Sequence, residues 1–243
     1  MKTDTQTASF YDLRDALAQP GCAVCRLKAD SAERFLDRLL WESVNDVTSR
    51  HAIRQAQGFC HAHAWSLART GASLGVAIIL HDVLQSLLPA IASATFQAIS
   101  PWSARRVHEA LDPKQPAAAT AEAVARLEPQ AACPACAWVE KMERIYLDVL
   151  LGHLLGEDGL LAAYASSEGL CLPHFRQALA QVRDEQVFEA LVGAQRTIWE
   201  RLVGDLSEFI RKNDYRFRSE TWGEERDAWL RAIAALSGTR PDQ

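Results

Sequence analysis

The sequence lacks several features by which large classes of proteins are recognised. It contains no segment in which valine, isoleucine or threonine alternates with polar residues, so we expect no β-sheet. Neither GxGxxG nor GxxxxGK occurs, and both are patterns typical of nucleotide sites. The Glu-x-x-His pairs on which di-iron helical bundles depend are also missing. These absences favour an all-α chain with neither a nucleotide site nor a di-iron site.

Positive charge is scarce as well. The formal net charge is −5, and lysine occurs at only five positions, so a nucleic-acid partner is not expected. Residues 1–7 are not followed by an apolar segment of the secretory kind, and we therefore expect a cytoplasmic protein. The most apolar segment, residues 74–96, is interrupted by His81, Asp82 and Gln85. This interruption favours a buried helix over a membrane span.

Six cysteines stand out in a chain of 243 residues that is long enough to bury a core without crosslinks. They form two CxxC pairs, each followed after 34 residues by a CxxH. The first set is Cys22, Cys25, Cys60 and His63, and the second is Cys133, Cys136, Cys171 and His174. Each number in the second set exceeds its counterpart by 111, as Gly169 exceeds Gly58. This fixed offset indicates an internal duplication.

The duplication also identifies which histidines are candidate ligands. His61 corresponds to Leu172, whereas His63 corresponds to His174. Each half therefore offers three thiols and one imidazole, a set typical of tetrahedral zinc sites. In a reducing compartment such thiols are more often ligands or redox groups than disulfides. We predict two zinc ions; two iron–sulfur clusters, or thiols that release zinc on oxidation, are the alternatives.

The duplication divides the chain into three regions. We predict a first helical metal-binding repeat over 1–98, a linker over 99–130 and a second repeat with a C-terminal extension over 131–243. The fold class is all-α, with two pseudo-repeated helical modules, each closed by a CxxC/CxxH site, and a final helix. We expect each half to close its own site, because 34 intervening residues suffice for a helical excursion and return.

A basic and aromatic segment near the C-terminus is the one other candidate for ligand or partner contact. It contains Arg211, Lys212, Tyr215, Arg216 and Arg218. Basic residues beside aromatics can hold a phosphate or stack a base. The favoured interpretation is a docking segment whose aromatics pack inward and whose basic residues pair with acids such as Glu220, Glu224 and Glu225. No residue pattern indicates a catalytic site.

The paired CxxC elements, together with Gly-Phe-Cys60-x-x-His63 and Gly-Leu-Cys171-x-x-His174, resemble a bacterial uncharacterised family, domain of unknown function 6062. The segment 209–218 and Gly223-Glu224-Glu225 followed by Trp229 resemble the C-terminal signature of that family. The resemblance covers nearly the whole chain and implies no particular activity. We therefore predict a non-enzymatic metal-binding protein with an interaction or regulatory role and a possible protein partner.

Overall fold

The computed structural model describes residues 7–95, 120–217 and 219–239, and over these ranges the chain is helical and contains no strand. The all-α prediction is confirmed. The first six helices are α1 (Ala8–Leu17), α2 (Ala23–Glu42), α3 (Val47–Gln55), α4 (His61–Trp65), α5 (Ser73–Ala92) and α6 (Ala121–Arg126). The other five are α7 (Pro134–Gly152), α8 (Leu161–Ser166), α9 (Leu172–Gln181), α10 (Glu185–Lys212) and α11 (Ala228–Ser237). Short 3-10 helices cover Tyr215–Phe217 and Glu224–Asp227.

The chain divides into two compact units that do not follow the predicted repeats. The first unit combines Met1–Ser31 with Val139–Gln243, and the second is Ala32–Trp138. Helices α2 and α7 each contribute to both units, since the boundaries fall inside them. Most of the predicted linker, residues 96–119, lies outside the described residues.

The core of the first unit is built from the apolar faces of α1 and the start of α2 together with those of α7 to α10. Its fully buried side chains include Leu13, Tyr146, Leu147, Tyr164 and Leu191. Buried apolar residues recur at helical spacing within single helices, as do Leu13 and Leu17 in α1, Leu147, Leu150 and Leu154 in α7, and Leu191 and Ile198 in α10. Each of these helices thus buries one stripe and leaves its other side to water. Burial of such side chains stabilises by about 1.5–3 kcal/mol each.

The second unit has a smaller core, formed by Leu36, Leu39, Ile53, Leu67 and Ile79 with their neighbours. Helix α3 begins at Asp46, whose carboxylate accepts a hydrogen bond of 2.7 Å from the backbone N–H of Ser49. Such a cap satisfies an N–H that would otherwise lack a partner.

The expectation that the apolar segment forms a buried helix is wrong. Only 11% of the most apolar part of α5 is buried, and the side chains of Leu74, Leu84 and Leu88 are 73%, 63% and 59% exposed. Among the described helices, α5 alone has the length and composition of a membrane-crossing segment. Hydrophobicity shows that a helix is apolar but does not show what covers it, which is why the sequence misleads here.

Candidate metal centres

Two clusters of three cysteines and one histidine are present, one in each unit. The first tetrad consists of Cys22, Cys25, Cys171 and His174. The second tetrad consists of Cys60, His63, Cys133 and Cys136. In each tetrad the four ligand atoms all lie within 4.8 Å of one another. All eight residues named from the sequence thus take part, and each cluster has a Cys3His composition.

The expectation that each half closes its own site is wrong. The CxxC of the first repeat meets the CxxH of the second, and the CxxC of the second meets the CxxH of the first. Cys25 and Cys171 illustrate the crossing, since their Sγ atoms are 3.7 Å apart although 146 residues separate them. The physical reason lies in the paths of α2 and α7: α2 begins at a CxxC in the first unit and ends in the second unit, and α7 begins at a CxxC in the second unit and ends in the first.

The two tetrads have nearly the same internal geometry. His174 Nδ1 lies 3.4, 3.4 and 3.1 Å from the Sγ atoms of Cys22, Cys25 and Cys171. His63 Nδ1 lies 3.6, 3.3 and 3.2 Å from the corresponding atoms of Cys133, Cys136 and Cys60. The duplication seen in the sequence is therefore also a duplication of the ligand geometry.

These distances fit a single tetrahedral ion. Zinc bonds of about 2.3 Å to sulfur and about 2.0–2.1 Å to nitrogen imply S–S separations of about 3.8 Å and S–N separations of about 3.6 Å. The S–S distances are 3.7 Å for Cys25 and Cys171 and 3.6 Å for Cys60 and Cys136. The donor set and its spacing thus suit one ion per tetrad, with no ligand position left for a substrate.

The same local structure presents both CxxH elements. Cys60 and Cys171 are the N-cap residues of α4 and α9, with extended backbone angles (φ −63°, ψ 164° and φ −67°, ψ 159°). Two residues before each cysteine the chain turns at a glycine of positive φ, Gly58 (104°) and Gly169 (72°). Such angles disfavour other residues, which explains why glycine recurs at these positions.

A buried glutamine supports the turn before Cys171. Gln195 is 1% exposed. Its side chain accepts a hydrogen bond of 3.0 Å from the backbone N–H of Leu170 and donates one of 3.2 Å to the carbonyl of the same residue. The Tyr164 hydroxyl also donates to Gln195 Oε1. Sequence reasoning missed this brace, because one glutamine on a long helix carries no distinguishing pattern.

The surroundings of His174 also contain a carboxylate that the sequence reasoning missed. Glu143 Oε1 lies 3.0 Å from His174 Nε2, on the side of the ring opposite the thiols. Glu143 Oε2 lies 2.8 Å from Lys28 Nζ. All three residues belong to the first unit. The arrangement is that of a carboxylate behind a metal-binding histidine.

The side chains of the first tetrad strongly shift one another's pKa values. Hydrogen bonds from Cys171 and Cys22 lower the pKa of Cys25. Hydrogen bonding to Cys171 and Cys25, together with burial, raises the pKa of Cys22. Burial alone would lower the pKa of His174, but Cys171 and Cys25 raise it to about 10. Metal ligands must be deprotonated, so binding of a cation to this tetrad would release protons.

The second tetrad is less buried, and all four of its residues are partly exposed. Burial raises the pKa of Cys136 to about 12, with a further contribution from Cys60. Burial also acts to raise the pKa of Cys60, but the backbone N–H of His63 and the thiol of Cys136 lower it. Burial lowers the pKa of His63, which favours the neutral imidazole that a metal ligand requires.

The basic C-terminal segment is paired within the first unit. Arg211 contacts Glu208 and Glu220, and Lys212 Nζ lies 2.6 Å from Glu225 Oε1. Arg216 pairs with Asp214, Tyr215 is 77% exposed and Arg218 lies outside the described residues. The pairing to Glu220 and Glu225 agrees with the expected docking segment, but the expectation that its aromatics pack inward is wrong for Tyr215.

A cleft of about 770 Å³ runs beside the first tetrad, between α1, α8, α10 and α11. Its wall includes Cys22 and Cys171, but these residues are only 4% and 1% exposed. Arg231 on the same wall is held by Asp205 at 3.0 Å. The two cysteines therefore present almost no surface to the cleft.

Comparison with known proteins gives a family but no activity. The model of a family described as "family of unknown function (DUF6062)" matches residues 1–243. A curated relative, described as an uncharacterized 23.9 kDa protein in the xynA 3' region of Caldicellulosiruptor sp. (strain Rt8B.4), is 26% identical over 220 residues. The match covers 90% of this chain and 96% of that relative. No solved structure matches the chain.

Proposed function

We propose that this chain, which belongs to the family of unknown function DUF6062, is a non-enzymatic helical protein that holds two structural zinc ions and acts through an interaction surface. The observation that carries the proposal is the convergence of three thiols and one imidazole at two places. Reduced thiols at both places fit the cytoplasmic location that the sequence leads us to expect.

The compactness of the tetrads favours zinc over an iron–sulfur cluster. In a cluster the protein ligands are distributed over several iron atoms and so stand farther apart than ligands of one ion. Here all four donor atoms of each tetrad lie within 4.8 Å of one another. One imidazole among three thiols is also a common zinc set, whereas clusters mostly use four thiolates.

Four protein ligands per ion support a structural role. A catalytic zinc keeps a position open for water or substrate, and a structural zinc does not. Each tetrad joins segments that are distant in the sequence, such as those of Cys25 and Cys171. Metal binding would therefore hold the helices of each unit together, with a contribution on the order of 10 kcal/mol per site in small zinc domains.

The exposed face of α5 supports the interaction role, and its occupant in this proposal is a second copy of the chain. The helix is roughly 30 Å long. It has Leu80, Leu84, Leu88 and Ile91 exposed along its length. Its single charged residue, Asp82, is held by Arg50 and Arg54. Two copies of an uncharged, apolar face can pack against each other about a twofold axis without like charges meeting.

The metal content of the full chain after anaerobic purification tests the central proposal. We expect two zinc ions per chain and no visible absorption, and loss of helical circular dichroism when a strong chelator removes the metal. Zinc near zero would overturn the proposal. Iron with charge-transfer absorption would support the iron–sulfur alternative, and zinc release by peroxide would support the thiol switch.

A further inference from the structure

The two tetrads share their ligands and distances but differ in what surrounds them. Cys22, Cys171 and His174 in the first tetrad are buried, whereas every residue of the second tetrad is partly exposed. The difference extends to hydrogen-bonding groups near the ligands. Such groups commonly set how tightly a site holds its metal, because they orient the ligands and limit the access of water and competitors.

The first difference is the carboxylate of Glu143. Its side chain is 7% exposed and lies between His174 Nε2 at 3.0 Å and Lys28 Nζ at 2.8 Å. Glu143 Oε1 forms an ion-pair contact with the Nε2 edge of the ring, while Nδ1 on the opposite edge faces the three thiols. Lys28 in turn compensates the charge of a carboxylate that is otherwise buried.

The duplication shows that this pair is specific to one site. At the offset of 111 residues, Glu143 corresponds to Ala32 and Lys28 corresponds to Val139. Each site takes its CxxC from one repeat and its CxxH from the other. Ala32 and Val139 are therefore the counterparts, for the second tetrad, of Glu143 and Lys28 for the first. Within the described residues, His63 has no carboxylate contact like that of His174.

The second difference is a backbone cap from the C-terminal segment, beyond the duplicated part. The backbone N–H of Thr239 lies 3.5 Å from Cys25 Sγ. The Thr239 hydroxyl accepts a hydrogen bond of 3.2 Å from the backbone N–H of Cys22. A donor to a ligand sulfur stabilises its thiolate form. The first tetrad is therefore supported from the histidine side and from the cysteine side by independent groups.

We infer that the two sites have different roles: Glu143 and Lys28 are positioning residues that make the first tetrad a permanent structural site, whereas the second tetrad is an exchangeable site that transfers its ion to competing thiol or nitrogen ligands. This inference rests on the proposed function, since it needs an ion in both tetrads. The transfer is a ligand exchange, in which zinc stays divalent and its bonds to Cys60, Cys133, Cys136 and His63 are replaced by bonds to the acceptor.

A time course of zinc transfer tests the inference. The zinc-loaded full chain is mixed with an excess of a zinc-binding chromophore. We expect two phases of one equivalent each, with the fast phase lost in His63→Ala and the slow phase lost in His174→Ala. A single phase of two equivalents would overturn the inference but leave the proposed function standing. No zinc in the starting protein would overturn the proposed function itself.

Substitution of the positioning residues Glu143 and Lys28 is the second part of the test. Glu143→Gln should accelerate the slow phase roughly 10- to 100-fold, as for other groups behind metal-binding histidines, and leave the fast phase unchanged. Lys28→Gln should also accelerate the slow phase, but by a smaller factor. This variant still tests the pair if Glu143→Gln folds poorly. Glu140→Gln, which alters an exposed acid on the same helix, is the matched control and should change neither phase. An unchanged slow phase in both Glu143→Gln and Lys28→Gln would overturn the role of the pair.

Discussion

Cys22 Sγ lies 3.4 Å from His174 Nδ1, although the two residues belong to different halves of the duplication and are 152 positions apart. The corresponding pair, Cys133 and His63, is 3.6 Å apart. Neither half of the sequence thus contains a complete site, and the structural unit of this protein is not its sequence repeat.

Crossed closure predicts the zinc content of double variants. Cys22→Ser with His174→Ala removes two ligands of one site, so one zinc ion should remain. Cys22→Ser with Cys60→Ser removes one ligand from each site and should abolish both. Sites closed within each half would give the reverse counts, and metal analysis of the purified variants separates the two cases.

The two neighbouring histidines of α4 provide a matched pair of variants. His63→Ala should lower the zinc content by one ion, because Nδ1 of His63 faces all three thiols of the second tetrad. His61→Ala should retain two ions, since His61 is exposed and lies against Trp65 instead. Equal zinc loss in both variants would contradict the assignment of the ligand.

Gly169 should not tolerate a side chain. Its φ of 72° disfavours alanine, and a Cβ there would lie 2.8 Å from Gln195 Oε1. We expect Gly169→Ala to destabilise the zinc-loaded protein by about 1–3 kcal/mol in denaturant unfolding. Gly193→Ala, in the open middle of α10, should instead stabilise by roughly 0.5–1 kcal/mol. A neutral Gly169→Ala would argue against a strained turn before Cys171.

The carboxylate of Glu225 should make stability depend on acid pH. The backbone N–H of Gly223 and the side chain of Lys212 hold its pKa at about 2, below that of free glutamate at about 4.3. The stabilisation is therefore complete above pH 4.3 or so and is lost as the pH falls toward 2. The difference in melting temperature between wild type and Glu225→Gln should shrink over that range, and a constant difference would contradict this.

Association through α5 should respond to charge on its exposed face. Light scattering should show a dimer for the wild type and a monomer for Leu84→Glu with Leu88→Glu, because each carboxylate would enter an apolar contact. Ile210→Glu, which alters a 70% exposed residue on α10, is the control and should remain dimeric. A monomeric wild type, or binding of the wild type to lipid vesicles, would contradict self-association.

The sequence is sufficient to identify the eight ligands but does not show which CxxC shares a site with which CxxH. The offset between Cys22 and Cys133 and the mapping of His63 onto His174 identify all eight ligands. Either CxxC could chemically accept either CxxH, so the choice depends on the paths of α2 and α7, which no short motif encodes. Glu143 is an ordinary acid on a helix, but its replacement by Ala32 at the repeat position is a departure from symmetry that could have identified it.

The exposure of α5 was unpredictable for another reason. A continuous apolar run has the same appearance whether it is covered by its own chain, by another copy or by lipid. By contrast, the recurrence of glycine at positions 58 and 169 of the repeat indicates a turn of positive φ, and the structure has φ angles of 104° and 72° there.

The crossed ligands also impose an order of assembly. The second tetrad spans residues 60–136 and is nested inside the first, which spans residues 22–174. A chain leaving the ribosome can complete the inner site once Cys136 has emerged, whereas Cys22 and Cys25 must wait for His174. Cys22 and Cys25 are therefore the first of the eight ligands to be made, and they cannot complete their site until the last of the eight, His174, has been made.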